Sequence, residues 1–345
     1  MKIHSIDYVI AGRLQRRRRW MLVTALLAAL ACCLCVAVLL LGNTFYPLPV
    51  VISVLMGEEI KGATFAIETI RLPRMLAGLF AGFAFGIAGY VFQTILRNPL
   101  ANPNVIGITS GSSAAAVYCI IVLQSSKAVI SIASVAAGLV TVVVIYMLAR
   151  VGGNTFSIGR LVLVGIGIQA MCNSIVTYLL LIGKEHDLPA AIRWITGSLN
   201  GVKLDELPVL MISSFILVPL IYILGRPLMM LELGEQMATT LGVRTDLTRV
   251  LLIVSAVFLV AIATSITGPI ASIALLSGPI ANRLVGAGNS NSIAAGLVGA
   301  NIVLAADLIG QFAFTTKYPA GIITAIIGAP YLLLLLIQMN RRGDF

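Results

Sequence analysis

Long apolar stretches, broken at intervals by charge, proline and glycine, set the pattern of this chain. A bilayer core about 30 Å thick needs about 20 apolar residues per helix at a rise of 1.5 Å. On that measure the sequence predicts ten spans: 20–41, 74–96, 105–123, 128–149, 161–182, 208–231, 247–267, 270–285, 292–314 and 321–339. The eighth is the shortest and carries Gly278-Pro279. Membrane β-strands would alternate polar and apolar positions over about ten residues, and no such alternation runs through the chain. The fold class is therefore all-α and polytopic, with residues 1–345 forming one membrane domain. The longest polar interval, 42–71, is too short for a domain of its own.

Composition agrees with this partition. Apolar residues make up 59% of the 345 positions and charged ones 10%, where soluble domains carry about 25% charged residues. The net charge of +10 would suggest a nucleic-acid partner in a soluble protein, but so few charges on so apolar a chain build no phosphate-tracking groove. Placing the N-terminus in the cytoplasm puts 15 of the 23 basic residues inside, with a net +10 there and +1 outside. This is the positive-inside bias, and it predicts both termini in the cytoplasm. Residues 1–19 form a basic cytoplasmic N-terminal segment. The run RLQRRRRW before MLVTALLAALACC resembles a signal peptide, yet nine further spans follow it, so it reads as the first helix.

Candidate chemistry is sparse. The five cysteines, at 32, 33, 35, 119 and 172, all lie in apolar runs and read as buried small hydrophobes. Two histidines and no HExxH pair predict no metal site. No GxxxxGK[ST] phosphate loop is present, so ATP hydrolysis by that route is excluded and no catalytic residue is expected. Active transport would draw on an ion gradient or a separate ATPase.

Five features remain. Asp307 is the one acid well inside a span; it is either a proton-coupling site or a packing hydrogen bond to Asn301 or Gln311, with no basic partner expected at its depth. Gln169, Asn173 and Thr177 recur at steps of four, on one face of a helix that suits either a polar pathway or interhelical packing. Gly78, Gly82, Gly86 and Gly89 form a small-residue ladder for close helix packing. TGPIAS and LSGPIAN put proline after glycine at the start of and within the eighth span, marking either a broken pathway helix or a simple kink. The polar stretch 232–249, ELGEQMATTLGVRTDLTR, holds a short helix-compatible segment between Gly234 and Gly242. It is a surface linker or a docking helix for a cytoplasmic partner.

Several segments carry a resemblance in the same order along almost the whole chain: RLPRMLAG at 71–78, RNPLANPNVIGITSG at 97–111, WITGSLNGV at 194–202, LGEQMATTLGV at 233–243, TGPIASIALLSGPIANRLVG at 267–286, AADLIGQ at 305–311 and PAGIITAIIGAP at 319–330. Through them the chain resembles the FecCD family of ABC-transporter permeases, the type II importers for iron-siderophore, haem and vitamin B12. The resemblance implies a vitamin-B12-permease-like fold in the bacterial cytoplasmic membrane. It implies a second permease subunit, a heterodimer before a homodimer, with two cytoplasmic ATPases that bind ATP and Mg, and an external substrate-binding protein; this chain would hold no cofactor itself. It makes Gly234, Glu235, Ala238, Leu241 and Gly242 the positions that couple to the ATPase, and Arg71 and Arg74 the outer pair that docks the binding protein. Asn98 and Leu100, with the loop Ser157, Ile158 and Gly159, would form the cytoplasmic gate, and the Gln169 face would flank the pathway.

The chain departs from the pattern where many members read GLIVPHIAR, since Gly278, Pro279 and Asn282 occupy the Pro, His and Arg positions. Gln311 stands where some members have arginine, with Lys317 as a nearby substitute. The absent histidine and the GSLNG stretch favour a ferric siderophore as cargo over haem or vitamin B12. A proton-coupled carrier using Asp307 and a non-transporting scaffold are the rivals from other classes.

Overall fold

The computed structural model describes residues 2–149, 158–286 and 290–342. Among them all regular structure is helical. Helix α1 spans Lys2–Leu40, followed by α2 (Leu48–Leu55) and a π-helical segment Phe65–Arg71 that runs directly into α3 (Leu72–Ile95). Next come α4 (Ile108–Ile121), α5 (Lys127–Ala149), α6 (Ile158–Ile182), α7 (Leu188–Thr196) and α8 (Leu207–Ile223). The chain then forms α9 (Gly225–Glu232), α10 (Glu235–Thr240), α11 (Thr245–Thr267), α12 (Ala271–Val285), α13 (Ser292–Phe312) and α14 (Ala320–Arg342).

Each of the ten predicted spans meets a helix, with two differences in extent. The span 208–231 is two helices, because α8 ends at Ile223 and α9 begins at Gly225. The span 105–123 shortens to α4, since Pro103–Ile106 winds as a 3-10 turn and Gly107, at φ 70°, redirects the chain. Helix α12, with 15 residues, covers about 22 Å and crosses only part of an apolar core. The interval 42–71 is not simple loop, as it contains α2 and the whole π-helical segment.

Helices α3, α11 and α13 are largely buried, whereas α1, α5, α6, α8 and α14 bury only a minority of their residues. The seam between α3 and α13 explains Gly78, Gly82 and Gly86 of the glycine ladder, while Gly89 packs on α12. A methyl on Gly82 would stand 2.7 Å from the Ala300 Cα, and one on Gly86 would overlap the Ala295 carbonyl. Gly296 and Gly299 answer from α13. Lipid tails are as apolar as leucine, so helices in a membrane gain from close van der Waals approach, which only small residues permit.

At the basic end, Arg19 of α1 donates from Nε to the Leu284 carbonyl (3.0 Å) and from Nη2 to that of Arg283 (3.2 Å). These are carbonyls at the C-terminus of α12, where a cation also meets the negative end of the helix dipole. Cys119 and Cys172 are buried as expected, but Cys32 and Cys33 are exposed on the outer side of α1. An apolar run in a bilayer has a lipid-facing side as well as a packed one, so apolar neighbours alone do not bury a cysteine.

Candidate functional site

At the end of the bundle away from Arg19, the π-helical segment and the first turn of α3 deliver Arg71 and Arg74. Both turn inward. Arg71, 7% exposed, donates from Nη1 to the carbonyls of Leu39 (2.8 Å) and Leu40 (2.9 Å) and from Nη2 to that of Thr44 (2.5 Å). Its guanidinium lies 4.9 Å from the centre of the Tyr46 ring, so it caps the C-terminus of α1 and stacks on the loop that follows. Arg74 grips Asp307 of α13 with both arms, Nε to Oδ2 and Nη2 to Oδ1, each at 2.8 Å. Gln311, one turn later, donates to Oδ2 at 2.8 Å.

This geometry corrects two expectations. Asp307 does have a basic partner: Arg74 is placed early enough in its helix to reach across to α13. Asn301 is not its partner and donates instead to the Leu27 carbonyl of α1. The outer pair is not a pair of free cations either, because the guanidiniums are spent on backbone carbonyls and on Asp307. Beside them opens a pocket of about 410 Å³, lined also by Arg193, Lys317, Asn200 and Gln311. Arg193 and Lys317 are its exposed cations, and Lys317 holds Asn43 at 3.0 Å.

At the opposite end the RNPL turn is built by local chemistry. Arg97 takes a left-handed conformation at φ 48°, and the Asn98 Oδ1 accepts from the Leu100 N–H at 2.8 Å, an Asx turn. Asn102 repeats the device by accepting from Asn104 N–H at 3.1 Å, which opens the 3-10 turn. That turn packs against α6. Ser157 lies outside the described residues. Ile158 and Gly159, expected in a loop, form the first turn of α6.

Helix α10 is the short element expected between two glycines. Gly234, at φ 116° and ψ 151°, and Gly242, at φ 83°, hold backbone that side-chain-bearing residues rarely adopt, so each turns the chain sharply at one end of the helix. Glu235 opens the helix. Leu233, Met237 and Leu241, at steps of four, are 67%, 53% and 53% exposed. Ala238 is fully buried. It therefore seats α10 on its own subunit and offers no surface to a partner, in contrast to the role expected for it.

On α6, Asn173 and Thr177 are exposed and Gln169 is partly so. Thr177 donates to the Asn173 carbonyl at 2.9 Å, and the side-chain amides of Gln169 and Asn173 have no hydrogen-bond partner among the described residues. The face stays polar and unsatisfied within this chain, as a surface meeting water or a second subunit would.

Sequence reading missed one polar centre. A cavity of about 260 Å³ brings together Gln93 and Thr94 at the end of α3, Asn98 and Pro99 of the turn, Glu232 at the end of α9, and Pro279 with Asn282 of α12. Desolvation raises the pKa of the Glu232 carboxyl above its ordinary value, and a hydrogen bond with Thr94 opposes the rise. The available signal was Gln93 itself, the one side-chain amide of α3, 186 residues before the proline whose cavity it shares.

Among the described residues fourteen helices, eight of them long and apolar enough to cross a membrane, pack around a glycine-lined centre with a polar turn and a glycine-bracketed helix at one end, the architecture of a polytopic membrane protein. The family model described as the FecCD transport family matches residues 26–338, and the chain belongs to that family. It is 36% identical to the ferric enterobactin transport system permease protein FepG of Escherichia coli (strain K12), over 85% of this chain and 88% of that one. It is 34% identical to the Fe(3+)-citrate import system permease protein YfmE of Bacillus subtilis (strain 168), over 93% and 96%. Among solved structures, one described as an inward-facing metal-chelate type ABC transporter superposes with a TM-score of 0.80 at 27% identity, covering 91% of this chain and 98% of that one. This is a multi-pass membrane protein and an ABC-importer permease.

Proposed function

We propose that this chain, as a single membrane domain, moves a ferric siderophore across the bacterial cytoplasmic membrane, driven by ATP hydrolysed in a pair of partner ATPases. The observation that carries the coupling is α10 with its flanks: Met237 on the helix and Leu233 and Leu241 beside its two ends are exposed, the helix is bounded by glycine at both ends, and Ala238 seats it from below. So much leucine and methionine facing outward beside the basic, cytoplasmic end of the bundle suits a groove on a soluble partner. Both termini lie in the cytoplasm in this reading, in keeping with the basic residues 13–19.

The polar face of Gln169, Asn173 and Thr177 lines the pathway against a second permease subunit of different sequence. The RNPL turn closes it on the cytoplasmic side. Opposite, the basic pocket receives an external binding protein, with Arg193 and Lys317 as its accessible cations in place of Arg71 and Arg74. Relatives named for ferric enterobactin and ferric citrate support an iron chelate as cargo.

Vesicles containing the permease pair, ATPase and binding protein should accumulate labelled ferric siderophore when supplied with ATP, and accumulate haem and cobalamin far less. Leu241→Asp puts a charge into the apolar stripe and should lower uptake about tenfold or more while leaving the permease folded. Uptake unaffected by Leu241→Asp, or uptake without ATP, would overturn the reading.

A further inference from the structure

Helix α12 carries Pro279 in its interior and yet continues from Ala271 to Val285. Proline has no N–H, so the Leu275 carbonyl four residues earlier loses the donor that a regular helix would give it. A buried carbonyl without a donor is costly, and most are satisfied from elsewhere. Here the donor comes from α3. Gln93 Nε2 reaches the Leu275 carbonyl at 3.0 Å and the Ala274 carbonyl at 3.2 Å.

The fit is mutual. Gln93 is 7% exposed, and a methyl on Gly278 would overlap its Oε1. Gly89, one turn earlier on α3, brings its backbone against Ala274, where a methyl would stand 2.5 Å from the carbonyl carbon. Pro279 thus removes a donor, Gly278 leaves the space and Gln93 fills both needs. On one side of this amide α3 and α12 are locked together. On the other lies the cavity shared by Asn98 and Pro99 of the turn, Glu232 beside the coupling helix, and Asn282 of α12.

We propose that Gln93 is a positioning residue: it replaces the hydrogen bond lost at Pro279 and pins the break in α12 to α3. The pinned point is the fixed end against which the gate turn and the cytoplasmic end of α12 move when α10 is displaced. The mechanical part rests on the permease reading above; the hydrogen-bond part does not.

A double-mutant cycle separates the two. Pro279→Ala restores the N–H to Leu275, so in the purified full chain Gln93→Met should lower the thermal midpoint by about 2–4 °C with Pro279 present and by less than half of that in the Pro279→Ala background. Equal losses in both backgrounds would overturn the surrogate-donor assignment. In the reconstituted complex, Gln93→Met should cut uptake per ATP hydrolysed about tenfold while assembly and ATP hydrolysis persist, and an unchanged ratio would overturn the fixed-point role. If Gln93→Met fails to accumulate, the double variant, with its helical bond rebuilt, carries the same test and should show the same fall. Absence of uptake by the unaltered complex would count against the permease reading alone, because the thermal cycle is read without transport.

Discussion

Arg74→Ala is expected to destabilise the folded protein by about 3–5 kcal/mol, because removing one partner of a buried ion pair leaves the other charge uncompensated. Asp307 is 1% exposed and would keep only Gln311 of its three donated hydrogen bonds. Asp307→Asn should cost less, since the Arg74 side chain, 14% exposed, borders the basic pocket and is able to recruit water. Replacing both at once, Arg74→Met with Asp307→Leu, should recover most of the loss, as apolar pairs of similar volume substitute well for buried ion pairs. Thermal unfolding of the four proteins in detergent measures this. A loss below about 1 kcal/mol for Arg74→Ala would mean that water already screens the pair. Asp307→Asn bears on mechanism too: folded protein that takes up cargo with ATP has no need of Asp307 as a proton site.

The second large effect is expected at Gly89. A side chain there meets the carbonyl oxygen, carbonyl carbon and Cα of Ala274, all backbone, so no rotamer relieves the clash and α3 must part from α12. Gly89→Ala should cost about 3 kcal/mol, the upper end of overpacking penalties, and Gly89→Leu should prevent accumulation of folded protein. Gly167 on α6 is the control. Nothing lies within 4 Å of a methyl built on it, so Gly167→Ala should be neutral or stabilise the helix by up to about 1 kcal/mol. Fluorescence size-exclusion profiles and thermal midpoints distinguish these outcomes. Equal behaviour of Gly89→Ala and Gly167→Ala would refute the close α3–α12 approach.

Much of the candidate site was legible where chemistry is local. Gly234 and Gly242 announce a helix with sharp ends because only their backbone makes such turns cheaply, and RNPL announces a turn because Asn98 is able to accept from a backbone N–H two residues on. What reading residue by residue did not reveal is where side chains point. The motif RLPR suggested outward cations, yet the π-helical turn before α3 swings Arg71 onto the end of α1. Ala238 belongs to the coupling segment by motif, but the rotation of α10 about its axis puts it underneath.

The sequence by itself determined the all-helical membrane class, the approximate position of most long helices, their separation from polar turns, and the use of glycine for tight packing. Those properties depend on how each segment partitions between water and hydrocarbon, which is a property of the segment alone. Only the tertiary structure decided that Arg74 meets Asp307 across 233 positions, and that Gln93 answers the missing hydrogen bond at Pro279. Such pairings depend on the rotation and register of one helix against another. Apolar pattern is nearly silent about both in a membrane, because lipid and protein interior are equally apolar and the pattern does not distinguish a face turned to one from a face turned to the other.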